Sequence, residues 1–169
     1  MEVKRVGHIA FHCRDIEKSK TFYEKAFGCT EKFSINYGQL LENSLRRNPD
    51  LDVSKVPMLK MFREKAEQAW LYYMEFPDGF FFELFQSATQ ELAPEMGKLT
   101  GLQHIAIVVD DIYAAYAELV EKGINVKSEP ALGPDNTWQF WITDPDNNQF
   151  EFMQYTNYSY QLAGNSGIK

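Results

Sequence analysis

Cysteine, histidine and long apolar runs are all scarce in this 169-residue chain. Cys13 and Cys29 are too few for the disulfide framework of a small secreted protein. No stretch approaches the ~18 consecutive apolar residues of a membrane-spanning helix. The N-terminal segment MEVKRVGHIAFHCRD also lacks the long apolar core of a signal peptide. These absences predict a cytoplasmic protein that has no membrane partner.

Positive charge is in short supply as well. The chain has 17 lysines and arginines against 24 aspartates and glutamates, a formal net charge of −7. Proteins that bind nucleic acid carry a basic patch or stripe, and no such stripe is visible here, so we expect no nucleic-acid partner. With 44% hydrophobic and 15% aromatic residues, the composition is that of an ordinary globular protein with one sizeable core or two small ones.

The chain contains an internal repeat. The segment GHIAFHCRDI at 7–16 recurs as QHIAIVVDDI at 103–112, so that His8 becomes His104 at a constant shift of 96 positions. Each copy runs on into a helical pattern that an aspartate can cap and a glycine can end. The later segments FPDGFFFELFQ at 76–86 and DPDNNQFEFMQ at 144–154 match at a shift of 68 and read as hairpins. The repeat predicts an α+β fold of tandem βαβββ modules.

The two predicted modules differ in length. They cover residues 1–97 and 98–160, and a flexible tail follows at 161–169. His8 and Glu83 are 75 positions apart, whereas His104 and Glu151 are 47 apart, so the first module has about 28 extra residues, within about 36–70. Leucines in this insertion predict a short helix. Its length favours a lid or an interface element, and the alternative is a surface excursion without a role.

Strand periodicity places the acidic residue of each late segment on a defined face. Because alternate side chains share a face, Glu83 points away from Phe82 and Leu84, which pack on the helix. The same rule separates Glu151 from its phenylalanine neighbours. In the first strand of each module, His8 and His104 fall on the face of the glutamates. If the sheets curl, each module therefore offers one histidine and one glutamate to a cavity wall.

A divalent metal ion explains this placement best. One such glutamate alone is most often a solvated strand residue, but keeping a buried carboxyl protonated at neutral pH costs roughly 3.7 kcal/mol, and a bound cation removes that cost. The set His8, Glu83, His104 and Glu151 supplies the two nitrogens and two oxygens that Zn²⁺, Ni²⁺, Fe²⁺ or Mn²⁺ accepts. His12, four residues beyond the first ligand, is a fifth ligand, a hydrogen-bond partner of a ligand or a substrate contact.

The segments HIAFHCRDIEKSKTFYEKAFG, FPDGFFFELFQ, HIAIVVDDIYAAYAELVEKG and DPDNNQFEFMQ resemble the vicinal oxygen chelate superfamily over nearly the whole chain. That superfamily includes glyoxalase I, methylmalonyl-CoA epimerase, extradiol dioxygenases and bleomycin- or fosfomycin-resistance proteins. The resemblance implies paired βαβββ modules that form a cupped, partly closed mixed sheet around one metal ion. It also implies a small-molecule substrate and allows a homodimer.

Within the superfamily, the ligand order His, Glu, His, Glu is similar to that of glyoxalase I, the lactoylglutathione lyase. The similarity implies isomerase or lyase chemistry, in which a carboxylate moves a proton next to a substrate carbonyl. Glu151 is the expected base and Glu83 the second candidate. The resemblance implies a substrate pocket lined by His12, Phe81, Phe85, Met153 and Tyr155.

One residue departs from the glyoxalase pattern. That enzyme usually has an arginine four residues after its first ligand, where it helps to hold the glutathione carboxylates, and this chain has His12 there. We therefore do not extend the resemblance to glutathione. An extradiol-type dioxygenase, which uses two histidines and one carboxylate, and a drug-binding resistance protein without catalysis are the alternative functions.

Overall fold

The computed structural model describes residues 4–92 and 101–164 and divides the chain into two compact units, Met1–Gln90 and Glu91–Lys169. Each unit is a βαβββ module with its own four-stranded mixed sheet, which confirms the predicted α+β tandem fold. The predicted boundary between residues 97 and 98 lies outside the described residues. No helix in the described part of the chain is long and apolar enough to cross a membrane.

The first unit places its first and last strands side by side. Its βαβββ elements are β1 (His8–Cys13), α1 (Ile16–Phe27), β2 (Thr30–Asn36), β3 (Ala69–Glu75) and β4 (Phe81–Gln86). The strand order is β1-β4-β3-β2, with β1 parallel to β4 and the other pairs antiparallel. Residues far apart in the sequence thus become neighbours across the β1–β4 ladder.

The second unit repeats this arrangement. Its elements are β5 (Ile105–Val108), α4 (Ile112–Glu121), β6 (Ala131–Leu132), β7 (Trp138–Thr143), β8 (Gln149–Gln154) and the short helix α5 (Tyr160–Ala163). The order β5-β8-β7-β6, with β5 parallel to β8, matches the first sheet strand for strand. The predicted flexible tail begins inside α5, and residues 165–169 lie outside the described part.

The insertion in the first unit is helical and lies between β2 and β3. It contains α2 (Tyr37–Arg47), a 3₁₀ turn at Val53–Lys55 and α3 (Pro57–Glu64). The predicted short helix is α2, which begins with a capping box because the Asn36 and Gln39 side chains each bond the other's backbone N–H. The backbone N–H of Gly38 donates to the Ala66 carbonyl at 2.9 Å, so the two ends of the insertion are held together.

The sheet faces follow the predicted alternation. Phe82 and Leu84 in β4 are 1% and 0% exposed, and their counterparts Phe150 and Phe152 in β8 are also buried. These side chains form the cores beneath α1 and α4, whose first turns are capped by Asp15 and Asp111 as expected. The opposite face of each sheet is left to the predicted site residues.

The glutamine that ends each repeated segment ties the helix to the last strand. Gln86 accepts a hydrogen bond from the Ile16 N–H at 3.2 Å, and its amide donates to the Arg14 carbonyl at 2.9 Å. Gln154 accepts from the Ile112 N–H at 2.9 Å in the same way. The clamp satisfies an N–H group at the first turn of the helix, where no intrahelical partner exists.

Replacing the clamp should destabilise the first unit. In Gln86→Leu the part-buried Ile16 N–H loses its bond to the Gln86 side chain, so we expect the free energy of unfolding to fall by about 1–3 kcal/mol in urea titrations. Gln90→Leu is the matched control, because exposed Gln90 also donates to the Arg14 carbonyl and its loss should change stability by less than about 0.5 kcal/mol. Equal effects of the two variants would contradict the clamp.

Candidate metal-binding site

The first predicted histidine and glutamate meet across the β1–β4 ladder. His8 Nε2 lies 3.4 Å from Glu83 Oε2. The register pairs Ala10 with Glu83, so a methyl group next to the carboxylate leaves its oxygens open toward the histidine. The His8 side chain is 44% exposed and that of Glu83 is 18% exposed. The pair therefore lies on the face of the sheet away from α1, partly enclosed and still accessible.

The second pair has the same construction in the other unit. His104 Nε2 lies 3.2 Å from Glu151 Oε2, and Ala106 is the residue opposite Glu151. The two side chains are 32% and 13% exposed. Burial raises the pKa of Glu151 above its ordinary value; the charge of His104 opposes this shift and that of Asp135 adds to it. A bound cation would therefore stabilise the ionised Glu151 carboxylate, which burial disfavours.

The spacing inside each pair suits two ligands of one metal ion. Two donor atoms bound at ~2.1 Å and separated by an angle of about 90–109° lie roughly 3.0–3.4 Å apart. Both observed N–O distances, 3.4 and 3.2 Å, fall in this range. Within the described residues of either unit, the pair is not joined by a third histidine, cysteine, aspartate or glutamate close enough to share an ion. Each unit by itself thus offers two donors.

Tyr73 is a site residue that the sequence interpretation missed. Its hydroxyl lies 2.9 Å from His8 Nδ1, on the side of the imidazole away from Glu83. The antiparallel register sets Tyr73 opposite Glu83 and Trp141 opposite Glu151. These two aromatic residues are separated by the same 68 positions as the glutamates, so extending the repeat one strand back would have found them.

The second histidine lacks the partner that Tyr73 gives the first. Trp141 meets the His104 ring edge-on, with ring centroids 5.0 Å apart and planes at 83°. His104 Nδ1 is buried and has no hydrogen-bond partner among the described residues. The two His–Glu pairs are therefore alike in register and different in what surrounds the imidazole.

The predicted pocket residues occupy different environments. Exposed His12 lies in β1 with its ring centroid 5.8 Å from that of Phe85, and it does not join His8 and Glu83 as a third ligand. Phe81 is half-buried and packs at 5.1 Å from Tyr73. Met153 is only 5% exposed. Half-buried Tyr155 directly follows β8. Their contact with a substrate stays a prediction.

Neither cysteine has the surroundings of a nucleophile. Cys13 is 0% exposed and Cys29 is 3% exposed. Burial raises the pKa of Cys29 to about 12, and the charges of Asp78 and Glu24 add to the shift. Thiolate is therefore scarce at Cys29 at neutral pH, and fully buried Cys13 packs as a small core residue.

Comparison with known proteins gives one consistent family. The family model described as Glyoxalase/Bleomycin resistance protein/Dioxygenase superfamily matches residues 5–152. Two proteins of Bacillus subtilis (strain 168) are similar over nearly their whole lengths: uncharacterized protein YwkD is 28% identical, covering 91% of this chain and 99% of its own, and uncharacterized protein YwbC is 29% identical, covering 89% and 98%.

Solved structures share the fold at lower identity. A glyoxylase/bleomycin resistance protein/dioxygenase domain from Frankia sp. EAN1pec superposes with a TM-score of 0.62 at 16% identity, over 94% of this chain and 97% of its own. The fosfomycin resistance protein FosX from Listeria monocytogenes gives 0.59 at 14% identity, over 92% and 97%. The sequence match, the two βαβββ units and these superpositions agree. The chain belongs to the Glyoxalase/Bleomycin resistance protein/Dioxygenase superfamily.

Proposed function

We propose that this protein is a divalent-metal-dependent lyase or isomerase of glyoxalase type, which moves a proton next to a carbonyl of a small substrate with two adjacent oxygens. One observation carries the proposal: the same His–Glu pair, with metal-ligand spacing, occurs at the same register in both units. Members of the superfamily typically bind a divalent metal ion. We propose that His8, Glu83, His104 and Glu151 together bind one ion, which is Zn²⁺, Ni²⁺, Fe²⁺ or Mn²⁺.

The proposed chemistry assigns separate roles to the side chains. When bound, the ion would supply Lewis acidity toward the adjacent oxygens of the substrate. Glu151 takes the α-proton and returns it to the neighbouring carbon, and Glu83 keeps its place as a ligand. Glu151 is the more enclosed of the two carboxylates, at 13% against 18% exposure. Enclosure favours proton transfer to substrate over loss of the proton to water.

The substrate is proposed to lie on the helix-free faces of the sheets. In this proposal Phe81, Phe85 and Tyr73 contact the substrate beside the first pair, and Met153 and Tyr155 contact it beside the second. His12 stands where glyoxalase I usually has an arginine for glutathione, so glutathione is not part of the proposal. The proposal allows the protein to bind this substrate as a homodimer.

Isotope exchange tests the reaction directly. The metal-loaded protein is incubated in deuterated water with a panel of 2-hydroxycarbonyl compounds and hemithioacetals, and loss of the α-proton is followed by NMR. We expect exchange with at least one substrate, and none from the chelator-treated protein until the metal is restored. No exchange, together with ring cleavage of a catechol after anaerobic loading with Fe²⁺, would establish a dioxygenase. Tight ligand binding without exchange would instead support a resistance-type binding protein.

A further inference from the structure

The two histidines of the proposed site differ in their second ring nitrogen. His8 Nδ1 has the Tyr73 hydroxyl at 2.9 Å, whereas His104 Nδ1 is buried without a partner among the described residues. We propose that Tyr73 is a positioning residue, which holds the His8 imidazole with Nε2 toward Glu83. His8 therefore binds the metal ion more tightly than His104 does. This inference rests on the metal site proposed above.

Tyr73 is itself held in place by aromatic contacts. The Phe33 ring is stacked on it, with centroids 4.8 Å apart and planes at 12°. Phe81 packs against it at 5.1 Å, and the His8 ring meets it edge-on at 5.7 Å and 69°. A hydroxyl on a ring with neighbours on several sides has a fixed position, so it can fix the imidazole that it binds.

A hydroxyl suits this role because it both donates and accepts. In the metal-free site, a hydrogen on His8 Nε2 can face the Glu83 carboxylate while the Tyr73 hydroxyl donates to Nδ1. When Nε2 serves as a metal ligand, the hydrogen lies on Nδ1 and the hydroxyl oxygen accepts it. The imidazole carries one nitrogen-bound hydrogen in both arrangements, and the orientation of the ring is the same. Tyr73 therefore supports the ring before and after an ion binds.

His104 has no equivalent support. A histidine that binds metal through Nε2 carries a hydrogen on Nδ1, and metal-bound histidines almost always donate that hydrogen to a carboxylate, a carbonyl or water. At His104 the described surroundings supply the edge-on Trp141 ring instead. Leaving a buried donor unpaired weakens binding. The His8 imidazole is thus oriented by a hydrogen bond before an ion binds, and the His104 imidazole is not.

Zinc affinity measured on the whole protein tests the inference. Zn²⁺ alone is titrated against a competing chromophoric chelator with the wild type, Tyr73→Phe and the control Tyr72→Phe. Tyr72 is the adjacent tyrosine, and its hydroxyl donates to Glu17 on the helix side of the sheet. Loss of an outer hydrogen-bond partner typically costs a metal site 10–100-fold in affinity. We expect Tyr73→Phe to bind zinc about 10–100-fold more weakly and Tyr72→Phe to match the wild type within about twofold.

Nitrogen-15 NMR adds a readout that a general loss of stability would not imitate. With three histidines in the chain, each imidazole can be assigned. In the zinc-bound wild type His8 should bind through Nε2 with a slowly exchanging hydrogen on Nδ1, and in Tyr73→Phe that hydrogen should exchange rapidly. Unchanged zinc affinity in Tyr73→Phe, or zinc bound to His8 through Nδ1, overturns the inference. If the wild type binds no zinc, the same titration is made with Ni²⁺, Fe²⁺ and Mn²⁺, and a wild type that binds none of the four ions overturns the proposed metal site itself.

Discussion

Glu151→Gln is expected to lower kcat for α-proton exchange by a factor of roughly 10² or more, while metal content and substrate KM stay close to the wild-type values. Glutamine keeps a carbonyl oxygen that can face His104 and an ion, but it has no site that accepts a proton at neutral pH. The change therefore removes the base and spares the ligand. Steady-state kinetics with the best substrate of the exchange panel, together with elemental analysis of the purified variant, measures both effects.

Glu83→Gln is the matched variant, because Glu83 has the same register and the same histidine contact in the other unit. Because glutamine keeps a carbonyl oxygen for the ion here too, Glu83→Gln should retain its metal and, if Glu151 alone is the base, a kcat well above that of Glu151→Gln. The reverse order would assign the base to Glu83. Equal losses in kcat from both variants would contradict the assignment of a single base.

Metal removal is expected to lower the melting temperature by about 10 °C. An ion present at a thousand times its dissociation constant stabilises the folded state by about 4 kcal/mol, and each kcal/mol shifts Tm by roughly 2–4 °C in a protein of this size. Calorimetry of the chelated and reloaded protein measures the shift. An unchanged Tm after verified metal removal would count against an ion bound by the folded protein.

Stoichiometry separates a shared ion from two independent ones. Four ligands on one ion give one metal per chain, whereas two separate pairs would give two weakly bound ions. Loss of a residue that hydrogen-bonds to a metal ligand weakens binding by up to roughly 100-fold. His104→Ala removes a proposed ligand itself, so it should weaken binding of the single ion by at least that factor. Independent sites would instead leave one ion per chain bound with unchanged affinity.

The sequence predicted the two His–Glu pairs because strand alternation and the internal repeat together place their side chains. Alternation along a strand decides which face Glu83 occupies, and the buried Phe82 and Leu84 confirm that face. The constant shift of 68 then carries the same prediction to Glu151. The parallel pairing of β1 with β4, and the register in which Ala10 faces Glu83, came from the structure.

Tyr73 was missed because the matched segments begin at Phe76 and Asp144, although the same shift of 68 also relates Tyr73 to Trp141. Nothing in the segment before Ala69 fixes where β3 begins, and the β2–β3 ladder has register shifts between Glu31 and Phe33 and between Ile35 and Asn36. A one-residue error there exchanges Tyr73 for Tyr72, which contacts Glu17 instead. The near-complete burial of Met153 also depends on packing that alternation alone does not give.

Parallel pairing of the first and last strands has a kinetic consequence for each unit. The β3–β4 and β7–β8 hairpins can form from neighbouring chain, but His8 meets Glu83 only after a segment of 75 positions has closed, against 47 for His104 and Glu151. Closure entropy grows with the logarithm of length, so the helical insertion raises the cost of the first closure by only about 0.4 kcal/mol. Both His–Glu pairs should therefore assemble late in folding, at the closure of the parallel ladders. The insertion can change in length with little effect on that step.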